Sequence, residues 1–265
     1  MIKNLFITGD THGNVLSRFK KFMDVYNPED TAFIILGDAG LNYYLNKSEY
    51  KKKKELNEKG FKIYCVRGNH EERPENLNNL IYIYDQEIKG YVIYEPDYPN
   101  IKYLIDGDIY TINGHRTLVI GGAYSVDKYW RLERARYSNS SFTGWFPEEQ
   151  LNEDEMKEIS EKVKDEHFDY ILSHTCPYSW MPTDLFLNCV DQSTVDNTME
   201  KWMEELKDTF DWEVWLFGHY HSDRYVRPGV EMLFTDVIPF EDPFTRWVDD
   251  RYNPSLMDPK FYEGR

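Results

Sequence analysis

Apolar positions along the chain gather into short runs rather than long stretches. "LFIT" (5–8), "AFIIL" (32–36), "KIYCV" (62–66), "YTI" (110–112), "TLVIGG" (117–122), "YILS" (170–173) and "VWLF" (214–217) are rich in Ile, Val, Phe and Tyr. Such runs read as strands. "NG" at 113–114 joins two of them and predicts a hairpin, with His115 a turn or surface residue. Helical patterns lie between the strands. Residues 48–59, "SEYKKKKELNEK", stop at Gly60, and the Lys51–Lys54 run reads as a solvated face. Pro147 opens a second helix, "PEEQLNEDEMKEISEKVKDEHF", with acidic residues in its first turn and His167 exposed near its end. Over 191–210, Val195, Met199, Trp202, Met203, Leu206 and Phe210 share one face, which reads as core. Helices alternate with strands early and a hairpin follows mid-chain, so the expected class is a layered α/β domain with mixed sheets. After Phe240 the sequence turns Pro-rich and aromatic. The expected division is a domain over 1–240 and an extended tail over 241–265 that packs on it.

Composition narrows the functional classes. The chain has 265 residues, 16% of them aromatic, enough for a sizeable core. Its formal charge is -16, which repels anionic membrane and argues against long nucleic acid as a partner. Cys65, Cys176 and Cys189 show no CxxC spacing and read as reduced thiols. No apolar run approaches a membrane span, and the N-terminal "KNLFITGD" already reads as a strand plus a motif. The expected location is cytoplasmic.

The chemistry sits where the strands end. "LFIT" runs into Gly9-Asp10-Thr11-His12-Gly13, and "AFIIL" into Gly37-Asp38. "KIYCV" runs into Arg67-Gly68-Asn69-His70-Glu71, "YIL" into Ser173-His174, and "VWLF" into Gly218-His219-Tyr220-His221. Five of the seven histidines fall in these segments. The carboxyl edge of an open α/β sheet is where ligands bind. If the segments are extended, residues two apart point the same way, so His219 and His221 present parallel imidazoles about 7 Å apart at the backbone. That spacing can serve two metals about 3.5–4 Å apart. Asp38 has two oxygens and can bridge both. An N and O ligand set without thiolate suits manganese first, then iron, zinc, cobalt or nickel. Asn69, as a neutral ligand, leaves the centre net positive and able to bind phosphate.

D-x-H, GD, GNH[DE], H and GHxH, in this order, resemble the calcineurin-like metallophosphoesterase superfamily over about residues 5–222. The resemblance implies a four-layer sandwich, two mixed β-sheets flanked by helices, with a dinuclear metal site at one edge. By motif, Asp10, His12, Asp38 and His221 would hold one ion, and Asp38, Asn69, His174 and His219 the other. His70 would protonate the leaving group, oriented by Glu71. Arg67 is similar to the phosphate-contacting arginine of the protein serine/threonine phosphatases. "GDAG" lacks the second arginine of that branch, whereas "VIGGAYSVDKYWRL" and "GWFPEEQ" look like bacterial and phage stand-alone members.

The implied function is metal-dependent hydrolysis of a phosphomonoester or phosphodiester by a dinuclear-metal-activated hydroxide. The substrate would be a phosphorylated small molecule, a nucleotide or a phosphoprotein. Arg131, Arg134 and Arg136 could favour a dianionic monoester or lie on a solvated surface. The aromatic, basic stretch Tyr124–Trp145 could be a substrate-facing loop or packing. The alternative is a non-catalytic scaffold that keeps the fold for protein contacts. Such a scaffold would lose ligands or the GNH histidine, and this chain has kept them all.

Overall fold

The computed structural model describes residues 2–186 and 188–244. In chain order the elements are β1 (Asn4–Thr8), α1 (Val15–Met23), β2 (Thr31–Leu36), α2 (Lys47–Asn57) and β3 (Lys62–Val66). Then come β4 (Ile81–Asp85), β5 (Gly90–Tyr94), β6 (Ile101–Leu104), β7 (Ile109–Ile112) and β8 (His115–Ile120). They are followed by α3 (Lys128–Ser138), α4 (Glu153–Val163), β9 (His167–Ser173), α5 (Thr198–Leu206) and β10 (Asp211–Phe217). The last are β11 (Arg224–Arg227), β12 (Val230–Met232) and β13 (Ile238–Pro239).

Among the described residues the strands form two mixed sheets, ordered β13-β1-β2-β3-β6-β5-β4 and β11-β12-β10-β9-β8-β7. Strand alternation then builds four layers. Leu5, Ile7, Ile34, Leu36, Tyr64 and Val66 of the first sheet meet Val119, Tyr170, Leu172 and Leu216 of the second. Their neighbours Phe6, Phe33, Ile35 and Ile63 face the other way, onto Val15 and Phe19 of α1 and Leu56 of α2. On the far side Leu118, Ile120, Ile171, Trp215 and Phe217 pack on Met156 and Ile159 of α4 and on Met199 and Met203 of α5. A central parallel strand is therefore apolar on both faces, which is why the sequence shows runs there instead of alternation. The four-layer α/β sandwich implied by the motifs is the architecture observed.

Asn113 (φ 49°) and Gly114 (φ 95°) make the hairpin turn between β7 and β8, the two positive φ values a primed turn needs. Other readings need correction. The second helix starts at Glu153, not Pro147, because the Asn152 side chain and Glu155 close a reciprocal capping box. Its end at Val163 places His167 at the start of β9, still exposed. Only Thr198–Leu206 of the 191–210 stripe is α-helical, with Met199, Met203 and Leu206 in the core as expected. The stretch 128–138, left open as loop or packing, is the helix α3. Beyond Phe244 the tail reading lies outside the described residues. No helix among the described residues is long and apolar enough to cross a membrane.

The lysine run is not wholly solvated. Lys53 is fully buried, its Nζ 2.5 Å from both Asn42 Oδ1 and Glu95 Oε1. Tyr103 donates to the same two oxygens, at 3.1 and 3.2 Å. Removing one partner of a buried pair leaves the other charge uncompensated. Lys53→Ala should therefore cost about 3–5 kcal/mol of unfolding free energy, measured by urea denaturation. A loss below about 1 kcal/mol, the level of an exposed pair, would show that the buried placement is wrong.

Candidate metal centre

Five strands from both sheets end at one place. β1 is followed by Asp10 and His12, β2 by Asp38, β3 by Asn69 and His70, β9 by His174, and β10 by His219 and His221. Their convergence depends on backbone that is not extended. His12 (φ 45°), Asp38 (φ 47°), His219 (φ 68°) and His221 (φ 51°) all lie in the left-handed region. The extended-strand argument for parallel imidazoles at 219 and 221 is thus corrected: each histidine is turned by its own backbone. Asp and His tolerate this region better than most residues. Backbone contacts hold the turns, with Thr11 and His12 N–H donating to the Asp38 carbonyl and the His219 N–H to Asp10 Oδ2. Two glycines permit the close approach. A Cβ at Gly37 would lie 2.1 Å from His174 Nδ1, and one at Gly68 2.0 Å from Asp38 Oδ1.

Two groups of donor atoms each gather within 4.8 Å: Asp10, His12 and His221, and Asp10, Asp38 and His174. Asn69 completes the second. Its Nδ2 donates to Ser125 Oγ (2.8 Å), which aims Oδ1 at His174 Nε2 (2.8 Å) and His219 Nδ1 (3.2 Å). His174 Nδ1 donates to the Leu36 carbonyl (2.7 Å), since that oxygen can only accept. Burial lowers the His174 pKa, so the ring is neutral and its Nε2 carries a lone pair. Lone pair therefore faces lone pair at Asn69 Oδ1. A cation between them resolves the conflict. His12 Nε2 and His221 Nε2 stand 2.8 Å apart in the other group, where burial and then His12 press the His221 pKa down to about 4.

The carboxylates respond in opposite directions. Burial, then neighbouring Asp38, pushes the Asp10 carboxyl well up, and its Oδ1 has no hydrogen-bond partner among the described residues. Burial also pushes Asp38 up, but positive charge on the His174, His70 and His12 rings would outweigh it and bring it to about 2, a depression present only while those rings are protonated. Neutral imidazoles, an orphaned carboxylate oxygen and a facing amide oxygen fit divalent transition ions.

Two assigned roles change. Glu71 does not take the His70 ring. It is buried, its Oε1 accepts from the Gly68 N–H (2.6 Å), and burial pushes its carboxyl up to about 8. It braces the turn that carries Asn69. Arg67 does not face the cavity either. Its side chain is 1% exposed, paired to Asp106 at 2.7 Å and bonded to the carbonyls of Gly121, Glu148 and Glu149. The bend after β3 sends it back between the loops.

His70 does face the cavity. Its N–H donates to Asp38 Oδ1 (2.8 Å), its Nδ1 has no partner among the described residues, and its Nε2 lies 3.5 Å from Arg131 Nη2. Burial lowers the ring's pKa, with Asp38 opposing. Arg131 comes from α3, tethered to Asp127 (2.7 Å), Tyr43 Oη (2.5 Å) and the Gly144 carbonyl (3.0 Å). Arg134 and Arg136 are exposed. Sequence reasoning thus found the cluster without selecting its inward member. It missed Ser125 altogether, because a serine carries no signal until Asn69 is seen beside it.

Residues 3–223 match the calcineurin-like phosphoesterase family. Among curated proteins there is no match. One solved structure aligns at TM-score 0.46 with 12% identity, covering 92% of this chain and 97% of that one. Another, TT1561 of Thermus thermophilus, aligns at TM-score 0.42 with 15% identity, covering 88% and 89%. The family match takes in every segment that builds the centre, and this chain belongs to the calcineurin-like phosphoesterase family.

Proposed function

We propose that the chain hydrolyses small phosphoesters with the help of two divalent transition ions, manganese first. The observation that carries the reading is the lone-pair contact between Asn69 Oδ1 and His174 Nε2 at 2.8 Å. A protein scaffold has no use for such a contact, and a cation site does. Asp10, His12, Asp38 and His221 would hold one ion, and Asp38, Asn69, His174 and His219 the other. When bound, the ions supply Lewis acidity to the phosphate oxygens and a lowered pKa to water.

The chain's own residues do the rest. Asp10 is common to the two groups, and Asp38 would be shared by the two ions. Ser125 and Leu36 fix the Asn69 amide and the His174 tautomer. His70 stands at the cavity side of the centre, where it can give a proton to the leaving oxygen. Arg131 offers its guanidinium beside His70, in the place first given to Arg67, and suits the extra charge of a monoester. Asp127 and Tyr43 keep that guanidinium from swinging away.

Metal content should reach two ions per chain after manganese loading and fall below one in Asp38→Asn, by elemental analysis. Chelation should abolish turnover of aryl phosphates, and manganese should restore it. A loaded protein inactive on a broad panel of mono- and diesters would sink the hydrolase reading in favour of a scaffold.

His70→Asn should keep both ions and lower kcat on alkyl phosphates by about 10²–10⁴-fold. The loss should be smaller on p-nitrophenyl phosphate, whose leaving group departs without a proton. Equal losses on both would point to phosphate positioning instead.

Arg131→Met should lower kcat/KM on monoesters by about 10–100-fold, the worth of a charge-assisted bond, and lower it less on diesters. An unchanged monoester-to-diester ratio would remove Arg131 from phosphate recognition.

A further inference from the structure

Two segments of the sequence, "GGAYSVDK" (121–128) and "GWFPEEQ" (144–150), carry no metal-ligand candidate, yet the fold joins them beside Asn69. Glu149 is 3% exposed, and its carboxyl Oε1 accepts from the Ser125 N–H at 3.1 Å. Its backbone is held as well: the Glu149 carbonyl accepts from the Ala123 N–H at 3.1 Å and from Arg67 Nη1 at 2.9 Å. Ser125 is 1% exposed, and its Oγ accepts from Asn69 Nδ2 at 2.8 Å. A chain of buried contacts thus runs from Glu149 through Ser125 to a candidate ligand.

The Asn69 amide has two ways to lie, related by a half-turn that exchanges Oδ1 and Nδ2. In the observed one, Oδ1 faces His174 Nε2 and His219 Nδ1, the orientation a cation needs. In the other, Nδ2 would donate to the His174 lone pair and Oδ1 would face Ser125. That arrangement has no conflict within the chain, provided that the Ser125 hydroxyl donates to Oδ1. It is unsuited to a cation, since an amide NH₂ only donates. A hydroxyl has one proton, so the choice depends on where Ser125 sends it. Glu149 is at hand to take it. Burial raises the Glu149 carboxyl's pKa, and the Ser125 side chain is the leading influence against that rise, followed by the Trp145 side chain. With its proton turned to Glu149, Ser125 can only accept from Asn69, and Oδ1 is left facing His174.

We propose that Glu149 is a positioning residue: by accepting from Ser125 it sets the orientation of the Asn69 amide and keeps the ion site at Asn69 and His174 open. The proposal rests on the metal-dependent reading above and extends it to a residue that would touch neither ion nor substrate. It also gives the two segments a shared purpose, one bringing Ser125 to Asn69 and the other bringing the acceptor that fixes the Ser125 hydroxyl.

The test compares Glu149→Met and Glu149→Leu, which lack an acceptor oxygen, with Glu149→Gln, which keeps one, and with Ser125→Ala, each checked for folding by thermal melting. Manganese binding to the full chain is followed by calorimetry. Glu149→Met and Glu149→Leu should weaken the second ion by about 10–100-fold, the usual cost of losing a group that orients a metal ligand, and change the first little. Glu149→Gln should stay closer to the native chain. Ser125→Ala should match the Met variant, and the double variant should lose no more than either, because both act on one amide. A second readout needs no metal. In the metal-free chain the nitrogen NMR resonance of His174 Nε2 should move upfield in Glu149→Met and in Ser125→Ala, as Asn69 Nδ2 turns to donate to it. Loss of both ions together, losses that add in the double variant, or an unmoved His174 resonance would overturn the proposal. A native chain that binds no second ion overturns the metal reading instead, and the His174 resonance then decides the orienting role of Glu149.

Discussion

Everything at this edge of the molecule depends on a buried cluster of electron-pair donors whose carboxylates have no lysine or arginine bonded to them among the described residues. Asp10, Asp38, Asn69 and His174 are each no more than 2% exposed. Nearby cations bond other atoms: Lys53 to Asn42 and Glu95, Arg67 to Asp106, and Arg18 to Thr8 and the carbonyls of Phe234 and Asp10, from where its charge only partly offsets the burial of Asp10. Burying carboxylates in this way is unfavourable unless a positive charge joins them. The opposite shifts of Asp10 and Asp38 are the sign of that conflict within the chain alone.

Holding such a cluster together takes backbone that folding would otherwise avoid. Four candidate ligands sit at positive φ, each at a cost of order 1–3 kcal/mol. The surrounding loops supply the offsetting bonds. Asp38 is the pivot: its carbonyl receives two N–H groups from the β1 loop, and its Oδ1 receives the His70 N–H from the β3 loop. Glu71 and Arg67 belong to the same framework. One ties down Gly68 and the other clamps three loop carbonyls, so Arg67 and Glu71, two residues to either side of Asn69, hold the turn that carries it.

This explains which features the sequence made legible. The central strands were readable because both faces are buried, giving unbroken apolar runs. β4, β5 and β6 were missed; β4 is a sheet edge whose residues Ile81–Tyr84 are exposed, so no core pattern marks it. β11, β12 and β13 span only two to four residues, too few for a period to emerge. The ligand candidates were readable because each follows its strand directly and carries its chemistry in its residue type. Arg131 was not, because a helix far along the chain brings it to the cavity. Lys53 failed for a related reason: a lysine run on a helix looks solvated until Glu95, 42 residues away, is placed against it.

The cavity then follows from where the two sheets and their insertions meet. Both sheets contribute ligand candidates, but the walls come from segments outside the central strands: Tyr43 and Lys52 from around α2, Arg131 from α3, Met181 and Glu200 from the stretch leading into and opening α5. A framework fixed by Asp38 can therefore keep one chemistry while these segments set what the centre meets. Their charges are mixed: Lys52 and Arg131 share the lining with Glu49, Asp127, Asp196 and Glu200. For a protein of formal charge -16, the position of those two cations matters. The general field repels anions, so on the proposed reading a phosphate would meet attraction only at short range, where Arg131 and Lys52 stand among the lining residues.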